Sequence, residues 1–221
     1  MGQKIDPRSL RLGLHYNWQS RWFPKKNWGN NLREDVAIRQ ITHNLYPKSG
    51  IVSIEIERSG MNKIDIVIKT ARPGILIGRG GEHLNNLKKK IQQKLVAIRK
   101  ETGNEKEKVN LNISIEEVKK PNTYAAIIAQ TIALDIEKRV SFRRAVKRAL
   151  SRVLSHKEVQ GVKIQVSGRL DGNEISRSEW FLEGKMPSTK LRANIDFAKE
   201  EAYCTYGTVG IKVWIYKGDI L

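Results

Sequence analysis

A glycine-rich tetrad, Gly78-Arg79-Gly80-Gly81, is the stretch of this sequence best suited to binding chemistry. Glycine has no Cβ, so the backbone of another molecule can approach closely, and Arg79 adds a cation. An amphipathic helix is predicted to begin at about Glu82, and the free N–H groups of its first turn favour an anion. The tetrad therefore predicts a loop that binds a sugar-phosphate backbone. A plain turn before a helix is the alternative.

A second candidate site lies in a predicted helix from Phe142 to about Ser155. With about 100° of rotation per residue this helix has two faces, and Phe142, Val146 and Leu150 lie on the apolar one. The opposite face is almost purely cationic, and it carries Arg143, Arg144, Lys147, Arg148 and Arg152. A solvated face normally mixes both signs of charge, so we interpret this one as a surface that faces RNA. A merely solvated face is the alternative.

Cations and aromatic rings alternate along residues 1 to about 30, which show no periodic pattern. Such a segment suits a path along RNA, with charges on phosphates and rings against bases. Some of its tryptophans are expected to anchor it on its own domain. Its candidate RNA contacts are Lys4, Arg8, Arg11, Arg21, Lys25 and Lys26, and Arg72 and Arg169 are further candidates elsewhere in the chain.

Residues that could support catalysis are scattered. The tetrad lacks the Lys-Ser/Thr pair of a nucleoside-triphosphate loop and the spacing of a dinucleotide loop, and the histidines lack metal-ligand spacing. Asp171 and Glu174 could form a carboxylate pair for a metal, but a polar turn flanked by glycines is the favoured interpretation. We therefore expect no enzyme activity, cofactor, metal or small-molecule substrate. An RNA-processing enzyme is the alternative.

The amino-acid composition indicates what kind of molecule the protein binds. The 221 residues include 41 Lys and Arg against 23 Asp and Glu, a net charge of +18, which predicts nucleic acid or an anionic membrane as partner. No window has the apolar length of a membrane span, and Met1 does not begin a signal-peptide pattern. The apolar face of the basic helix has a lone aromatic residue, Phe142, which is poorly suited to binding a membrane surface. Since Cys204 is the single cysteine, a disulfide framework is excluded, and we expect a soluble intracellular protein that binds RNA.

The elements that must position the tetrad follow from hydrophobic periodicity. A helix is predicted from Asn31 to about Asn44, with Val36, Ile38, Ile41 and Leu45 on one side. Residues 51–58 and 63–69 alternate apolar and polar around a short turn, which predicts a hairpin. The tetrad then lies between a short helix and a long one, and residues 109–115 form a further strand. This order resembles the type II KH fold, with a three-stranded sheet and helices on one face.

The second half of the chain begins after Lys119-Lys120-Pro121. Asn122 is predicted to cap a helix from Thr123 to about Arg139, and Ser141 to cap the basic helix. Strands are predicted over 162–169, 175–183, 191–198 and 209–216, with Ile211, Val213 and Ile215 facing one way and Lys212, Trp214 and Tyr216 the other. The fold class is therefore α+β: a basic arm (1–30), a type II KH domain (31–118), and a C-terminal α+β domain (119–221) with two helices on a mostly antiparallel sheet.

Motifs dispersed in fixed order along the whole chain identify it as similar to a known family. The sequence resembles the family of the bacterial small-subunit ribosomal protein three. The residues that carry the resemblance are Met1-Gly2-Gln3-Lys4, Arg11-Leu12-Gly13, Trp18-Gln19-Ser20-Arg21-Trp22, Ala71-Arg72-Pro73-Gly74, Phe142-Arg143-Arg144-Ala145, Ser167-Gly168-Arg169-Leu170, Thr205-Tyr206-Gly207 and Gly210-Ile211-Lys212-Val213-Trp214.

The resemblance implies a ribosomal, non-enzymatic role. It implies binding of ribosomal RNA in the small-subunit head, contact with small-subunit proteins ten and fourteen, and a place beside proteins four and five in the channel through which messenger RNA enters. At that channel Arg143, Arg144 and Lys147 are the positions implied in unwinding messenger. A cytoplasmic ribosome is expected rather than an organellar one. An RNA-processing or RNA-chaperone protein acting off the ribosome is the alternative.

Two features depart from the family pattern. The loop is Gly-Arg-Gly-Gly, whereas many members carry two bulky or basic central residues. The segment from about Leu95 to Lys108 is longer than usual.

Overall fold

The computed structural model describes residues 5–24, 27–59, 63–101 and 110–220. The chain divides into two compact units. The N-terminal unit is Trp18–Lys119, and the C-terminal unit combines Met1–Asn17 with Lys120–Leu221. The division into arm, KH domain and C-terminal domain predicted above remains a proposal. Within the described ranges, no helix is long and apolar enough to cross a membrane.

The N-terminal unit follows the predicted order of the type II KH fold. Its elements are β1 (Ser20–Arg21), α1 (Trp28–Leu45), β2 (Ile51–Ser59), β3 (Lys63–Thr70), α2 (Pro73–Ile77), a 3-10 turn (Arg79–Gly81), α3 (Glu82–Glu101) and β4 (Asn110–Glu117). The sheet order is β1-β2-β3-β4; β2 and β3 are antiparallel, while β1 pairs with β2 and β4 with β3 in parallel. The alternating isoleucines of β2 and β3 are buried together with Leu87, Ile91 and Leu95 of α3.

The short strand β1 was not predicted. It extends the three-stranded sheet to four strands, and the Ile56 N–H donates to the Gln19 carbonyl at 2.8 Å beside it. Arg21 in this strand forms ion pairs with Glu55 and Glu57 of β2. Cross-strand charge pairs of this kind hold a segment whose sequence shows no alternating pattern.

The prediction for the buried side of α1 was partly wrong. Ile38 is buried, but Val36 is 45% exposed, and the carboxylates of Glu34 and Asp35 lie inside instead. The reason is electrostatic: the Arg58 guanidinium donates to Glu34 Oε2 at 2.7 Å and to Asp35 Oδ1 at 2.5 Å. A buried charge is tolerated where it is paired and hydrogen-bonded.

The C-terminal unit packs two helices on one face of an antiparallel sheet. Its elements are α4 (Ala125–Glu137), α5 (Phe142–Leu154), β5 (Gly161–Gly168), β6 (Arg177–Gly184), β7 (Ala193–Cys204) and β8 (Gly207–Asp219). The strand order is β6-β5-β8-β7, and every neighbouring pair is antiparallel. Val162, Ile164 and Val166 of β5 lie in the core beneath the helices. Tyr216, on the face opposite Ile211, Val213 and Ile215 as predicted, is also buried, in a small cluster with Ala193 and Ile195.

Of the two predicted helix caps, Ser141 occupies its predicted N-cap position, but in both helices the acceptor of the first N–H is a distant carboxylate. Asn122 lies in a 3-10 turn before α4, and the first N–H of α4, from Ala125, donates to the Asp196 carboxylate at 2.8 Å. Ser141 occupies the N-cap position of α5 but makes no side-chain cap. The N–H of Phe142 donates instead to Asp171 Oδ1 at 3.2 Å. A carboxylate at the N-terminus of a helix accepts hydrogen bonds from the free N–H groups and interacts favourably with the positive end of the helix dipole.

Candidate nucleic-acid interface

The cationic face of α5 carries five basic side chains of the C-terminal unit on one helix. We call Arg143, Arg144, Lys147, Arg148 and Arg152 the basic stripe. All five are exposed, and the opposite face, with Phe142, Val146, Leu150 and Val153, is at most 2% exposed. Because the apolar face is fixed in the core, the helix cannot rotate these cations inward. The stripe borders a shallow depression that is lined in part by Ser141 and Ser151.

Ion pairing divides the stripe into engaged and available cations. Arg143 Nη2 lies 3.2 Å from Glu179 Oε1 on β6, and the hydrogen bond and charge of Glu179 raise the pKa of Arg143. Arg148 Nη1 lies 3.7 Å from Asp135 Oδ2 on α4. Among the described residues, Arg144, Lys147 and Arg152 form no ion pair, so a polyanion would meet these three charges first.

The glycine tetrad forms an open loop between α2 and α3. Gly78 has φ +71° and ψ −179°, and a Cβ there would lie 2.6 Å from Cγ of His83. Gly80 and Gly81 have φ +60° and +79°, and no heavy atom lies within 4 Å of where their Cβ atoms would be. Gly78 is therefore needed for packing, whereas Gly80 and Gly81 supply left-handed backbone and leave room for an approaching ligand.

Two residues that the sequence did not single out fix the shape of this loop. The His83 Nδ1 lies 2.8 Å from the Ile75 carbonyl, to which it donates when it carries the proton. The rings of His83 and Tyr46 stack with centroids 5.4 Å apart, and the Tyr46 hydroxyl donates to the His83 carbonyl. Tyr46 follows α1, 37 residues from His83, so no local spacing signals this contact.

Several predicted RNA contacts have structural partners of their own. Arg11 is fully buried and donates to the carbonyls of Pro7 and Lys190, both at 2.7 Å, so we assign it to anchoring residues 5–17. Arg8 pairs with Asp6, and Arg169 donates to the carbonyls of Asn173 and Tyr206.

The other candidates differ in exposure. Arg72 is exposed, and Arg21 is engaged with the carboxylates of β2. Lys4, Lys25 and Lys26 lie outside the described residues.

Of the two carboxylates weighed as a metal site, Asp171 has another role and Glu174 is exposed. Asp171 accepts hydrogen bonds from the Phe142 N–H and the Ser141 hydroxyl at the start of α5. Its backbone has φ +53° inside the 3-10 turn Leu170–Gly172. Across the described ranges, no group of three His, Cys, Asp or Glu side chains is placed to hold a metal ion.

Comparisons with known proteins cover nearly the whole chain. Residues 37–123 match the KH domain family, and residues 132–215 match the family "Ribosomal protein S3, C-terminal domain". The chain is 46% identical over 219 residues to the small ribosomal subunit protein uS3 of Pseudothermotoga lettingae, with 99% of each chain covered. It is 45% identical to that of Thermotoga maritima over the same length and coverage. It is also 45% identical over 221 residues to that of Koribacter versatilis, with 100% of this chain and 93% of the relative covered.

Proposed function

The chain belongs to the family of small ribosomal subunit protein uS3, and from that premise we propose that it binds ribosomal RNA and lines the channel through which messenger RNA enters the ribosome. Its class is a structural, non-enzymatic protein of the small subunit. The proposal extends to its neighbours: proteins ten and fourteen in the head, and proteins four and five at the channel. It also places the chain in the cytoplasm, on the ribosome.

The basic stripe is the observation that carries this proposal. Arg143, Arg144 and Lys147 stand at positions i, i+1 and i+4 of a helix whose other face is buried. They form one patch about one turn long, able to contact about two or three consecutive phosphates. Contacts to phosphates carry no sequence information, as a channel for every messenger requires.

The same contacts support an unwinding role. A strand held on the stripe as it leaves a duplex is less free to pair again with its complement. Movement of messenger by the ribosome then opens the duplex step by step, and this chain needs no nucleotide hydrolysis. The tetrad Gly78–Gly81 would contribute a second backbone contact, since Arg79 and Gly80 are exposed and unobstructed.

The test replaces Arg143, Arg144 and Lys147 together by alanine in ribosomes. Because the apolar face of α5 is untouched, we expect subunit assembly and translation of unstructured messenger to be retained, while passage through a stable hairpin slows. The measurement is elongation time on matched messengers with and without the hairpin.

A matched control removes three exposed cations of α3 with Lys89→Ala, Lys90→Ala and Lys94→Ala. This control changes the net charge equally and should not slow the hairpin template selectively. Equal slowing on both templates by the stripe variant would mean that the stripe contacts ribosomal RNA instead, and the unwinding role would be lost.

A further inference from the structure

The sheet of the C-terminal unit has a second face that α4 and α5 do not cover. Because side chains alternate along a strand, the burial of Val162, Ile164 and Val166 under the helices turns Lys163 and Gln165 to the opposite side. The register places Trp180 of β6 beside Gln165, and Trp214 of β8 beside Lys163. We call Trp180, Lys163, Gln165, Trp214 and Lys212 the outer face.

A lysine lies between two tryptophans at the centre of the outer face. The Lys163 ammonium is 5.1 Å from the ring centroid of Trp180 and 5.6 Å from that of Trp214. Trp214 is supported on its other side by Phe197, with centroids 5.2 Å apart. These contacts hold the rings in place, since a cation over an aromatic face is attracted by the ring quadrupole.

Trp180 is nevertheless open to solvent. It is 60% exposed, and Leu182, two residues further on the same edge strand, is 43% exposed. A large aromatic ring left in water on a rigid strand retains most of the apolar area that a stacking ligand would cover.

The charge of the outer face indicates which kind of ligand would stack on Trp180. The outward positions of β6, β5 and β8 include Ser178, Trp180 and Leu182, then Lys163 and Gln165, then Lys212 and Trp214; on the described parts of these three strands none is a carboxylate. On β7, at the opposite edge of the sheet, the same face carries Phe197, Lys199 and Glu201. Glu179 and Glu183 of β6 alternate to the helix side. Exposed rings interleaved with cations suit a ligand with flat bases and phosphates. An apolar protein surface would cover the ring of Trp180 but would leave the charges of Lys163 and Lys212 without a counter-charge.

We propose that the outer face is a stacking platform for single-stranded RNA. One base stacks on the exposed ring of Trp180, and the adjoining phosphates lie near Lys163 and Lys212. This site is on the sheet face opposite α5 and is independent of the basic stripe. It adds a contact with unpaired bases to the phosphate contacts proposed above.

The experiment uses the full chain carrying Arg143→Ala, Arg144→Ala and Lys147→Ala, so that the basic stripe does not contribute. Hexauridylate with one 4-thiouridine is the probe, and its affinity is measured by fluorescence anisotropy at a salt concentration that weakens the remaining electrostatic binding. Trp180→Leu keeps an apolar side chain without an aromatic face, Trp180→Phe keeps a smaller ring, and Leu182→Ala alters the same strand and face.

We expect Trp180→Leu to weaken binding by about tenfold, within the range measured for loss of one base–aromatic stack. Trp180→Phe should stay within about threefold of the parent and Leu182→Ala within about twofold. Irradiation should cross-link the probe to the peptide that contains Trp180.

Unchanged affinity in Trp180→Leu, or a cross-link elsewhere, would overturn the platform. An equal loss in Trp180→Leu and Leu182→Ala would also overturn it, because that result describes an apolar surface for a protein partner. Since the parent chain lacks the stripe cations, either result leaves the channel proposal untouched.

Discussion

At the scale of single residues, Asp171 and Asp196 show how charges organise the C-terminal unit. Each carboxylate accepts the first N–H of a helix, at α5 and α4 respectively, and each comes from a distant part of the chain, 29 and 71 residues away. Local spacing pointed to Ser141 and Asn122, because sequence rules for caps consider neighbouring residues. A cap supplied from another element leaves no local signal.

Asp196 gives a prediction about pH. Burial raises the pKa of Asp196, and Lys217, the Ala125 N–H and Arg8 oppose this more weakly. The folded chain therefore holds this proton more tightly than the unfolded chain, whose Asp pKa is about 3.9. Stability contributed by the protonated form is present below that value and is lost as the pH rises through the raised folded pKa. Asp196→Asn keeps an oxygen for the Ala125 N–H and removes this titration.

The expected result is that the free energy of unfolding of Asp196→Asn, minus that of wild type, increases from about pH 4 upward and then levels off. Urea unfolding at a series of pH values measures the difference. Glu174→Gln removes an exposed carboxyl group of the same unit and serves as the control. A difference that stays constant across this window, or falls, would show that Asp196 does not titrate with a raised pKa.

At the scale of elements, α1 is held on its sheet by charge as well as by apolar packing. The side chains of Arg58, Glu34 and Asp35 are 6%, 3% and 1% exposed, and the Trp22 indole N–H donates to the second oxygen of Asp35 at 2.8 Å. Arg99 of α3 also donates to Glu34, at 2.8 Å. The network joins β2, α1 and α3, so it sets the angle at which both helices lie on the sheet.

Removing Arg58 should destabilise the N-terminal unit strongly. Arg58→Met leaves two carboxylates buried with less compensation, a change that typically costs about 3–5 kcal/mol. Arg21→Met, which breaks the more exposed pairs with Glu55 and Glu57, should cost at most about 1 kcal/mol. Native-state hydrogen exchange of the β2 and β3 amides reports the opening free energy of this unit alone. Equal losses of protection in the two variants would mean that the buried network contributes no more than a surface pair.

The strands of this unit were predictable, whereas this network was not. The alternation of apolar and polar residues in 51–58 and 63–69 matches β2 and β3. One face of the hairpin is buried, so every second residue of each strand is apolar, and this pattern can be read from the sequence. The same rule predicts that Glu34 and Asp35 are surface residues. The ion pair that allows Glu34 to be buried involves Arg58, 24 residues away, and a contact at that distance leaves no periodic pattern in the sequence. For the same reason the basic stripe was visible in the sequence, while Glu179 of β6, the partner of Arg143, was not.

The glycine loop yields the second prediction at this scale. Arg79→Asp with Gly80→Asp places two anions where a phosphate is proposed to bind; both positions are exposed, and Gly80 has open space around it. The chain should fold as wild type does, within the modest cost of an Asp at φ +60°, and bind RNA more weakly. Gln93→Glu with Lys94→Asp changes the charge equally on an exposed turn of α3 and is the matched control. If both double variants bind RNA equally, the tetrad is a structural turn.

At the scale of the whole molecule, the net charge of +18 is the dominant physical property. Such an excess accelerates encounter with RNA and makes binding depend on salt, because each phosphate contact releases a condensed counterion. Some of the 41 Lys and Arg are paired with carboxylates inside the protein, as Arg58 and Arg21 are. The number of cations that act on RNA is therefore smaller than the composition suggests.

The dependence of RNA affinity on salt concentration measures how many cations contact phosphates. For single-stranded RNA the logarithm of affinity should fall linearly with the logarithm of salt concentration, with a slope of about −0.7 per phosphate contact. Replacing Arg143, Arg144 and Lys147 by alanine should make that slope shallower by about 2. Among single variants, Arg144→Ala and Lys147→Ala should each weaken binding more than Arg143→Ala, because Arg143 must first leave Glu179.

Glu179→Gln tests whether pairing with Glu179 keeps Arg143 from RNA, since this variant removes the carboxylate and keeps the arginine. Without the carboxylate, Arg143 and its neighbour on β6, Arg177, are both released toward RNA, so affinity should increase and the slope should become steeper. Glu183→Gln removes a carboxylate from the same side of β6 and is the matched control for net charge. An equal gain in both variants would show that RNA responds to the overall charge of the molecule. A gain confined to Glu179→Gln would show that it responds to the two cations that pair with Glu179, Arg143 of α5 and Arg177 of β6, and that these ion pairs limit how strongly they bind.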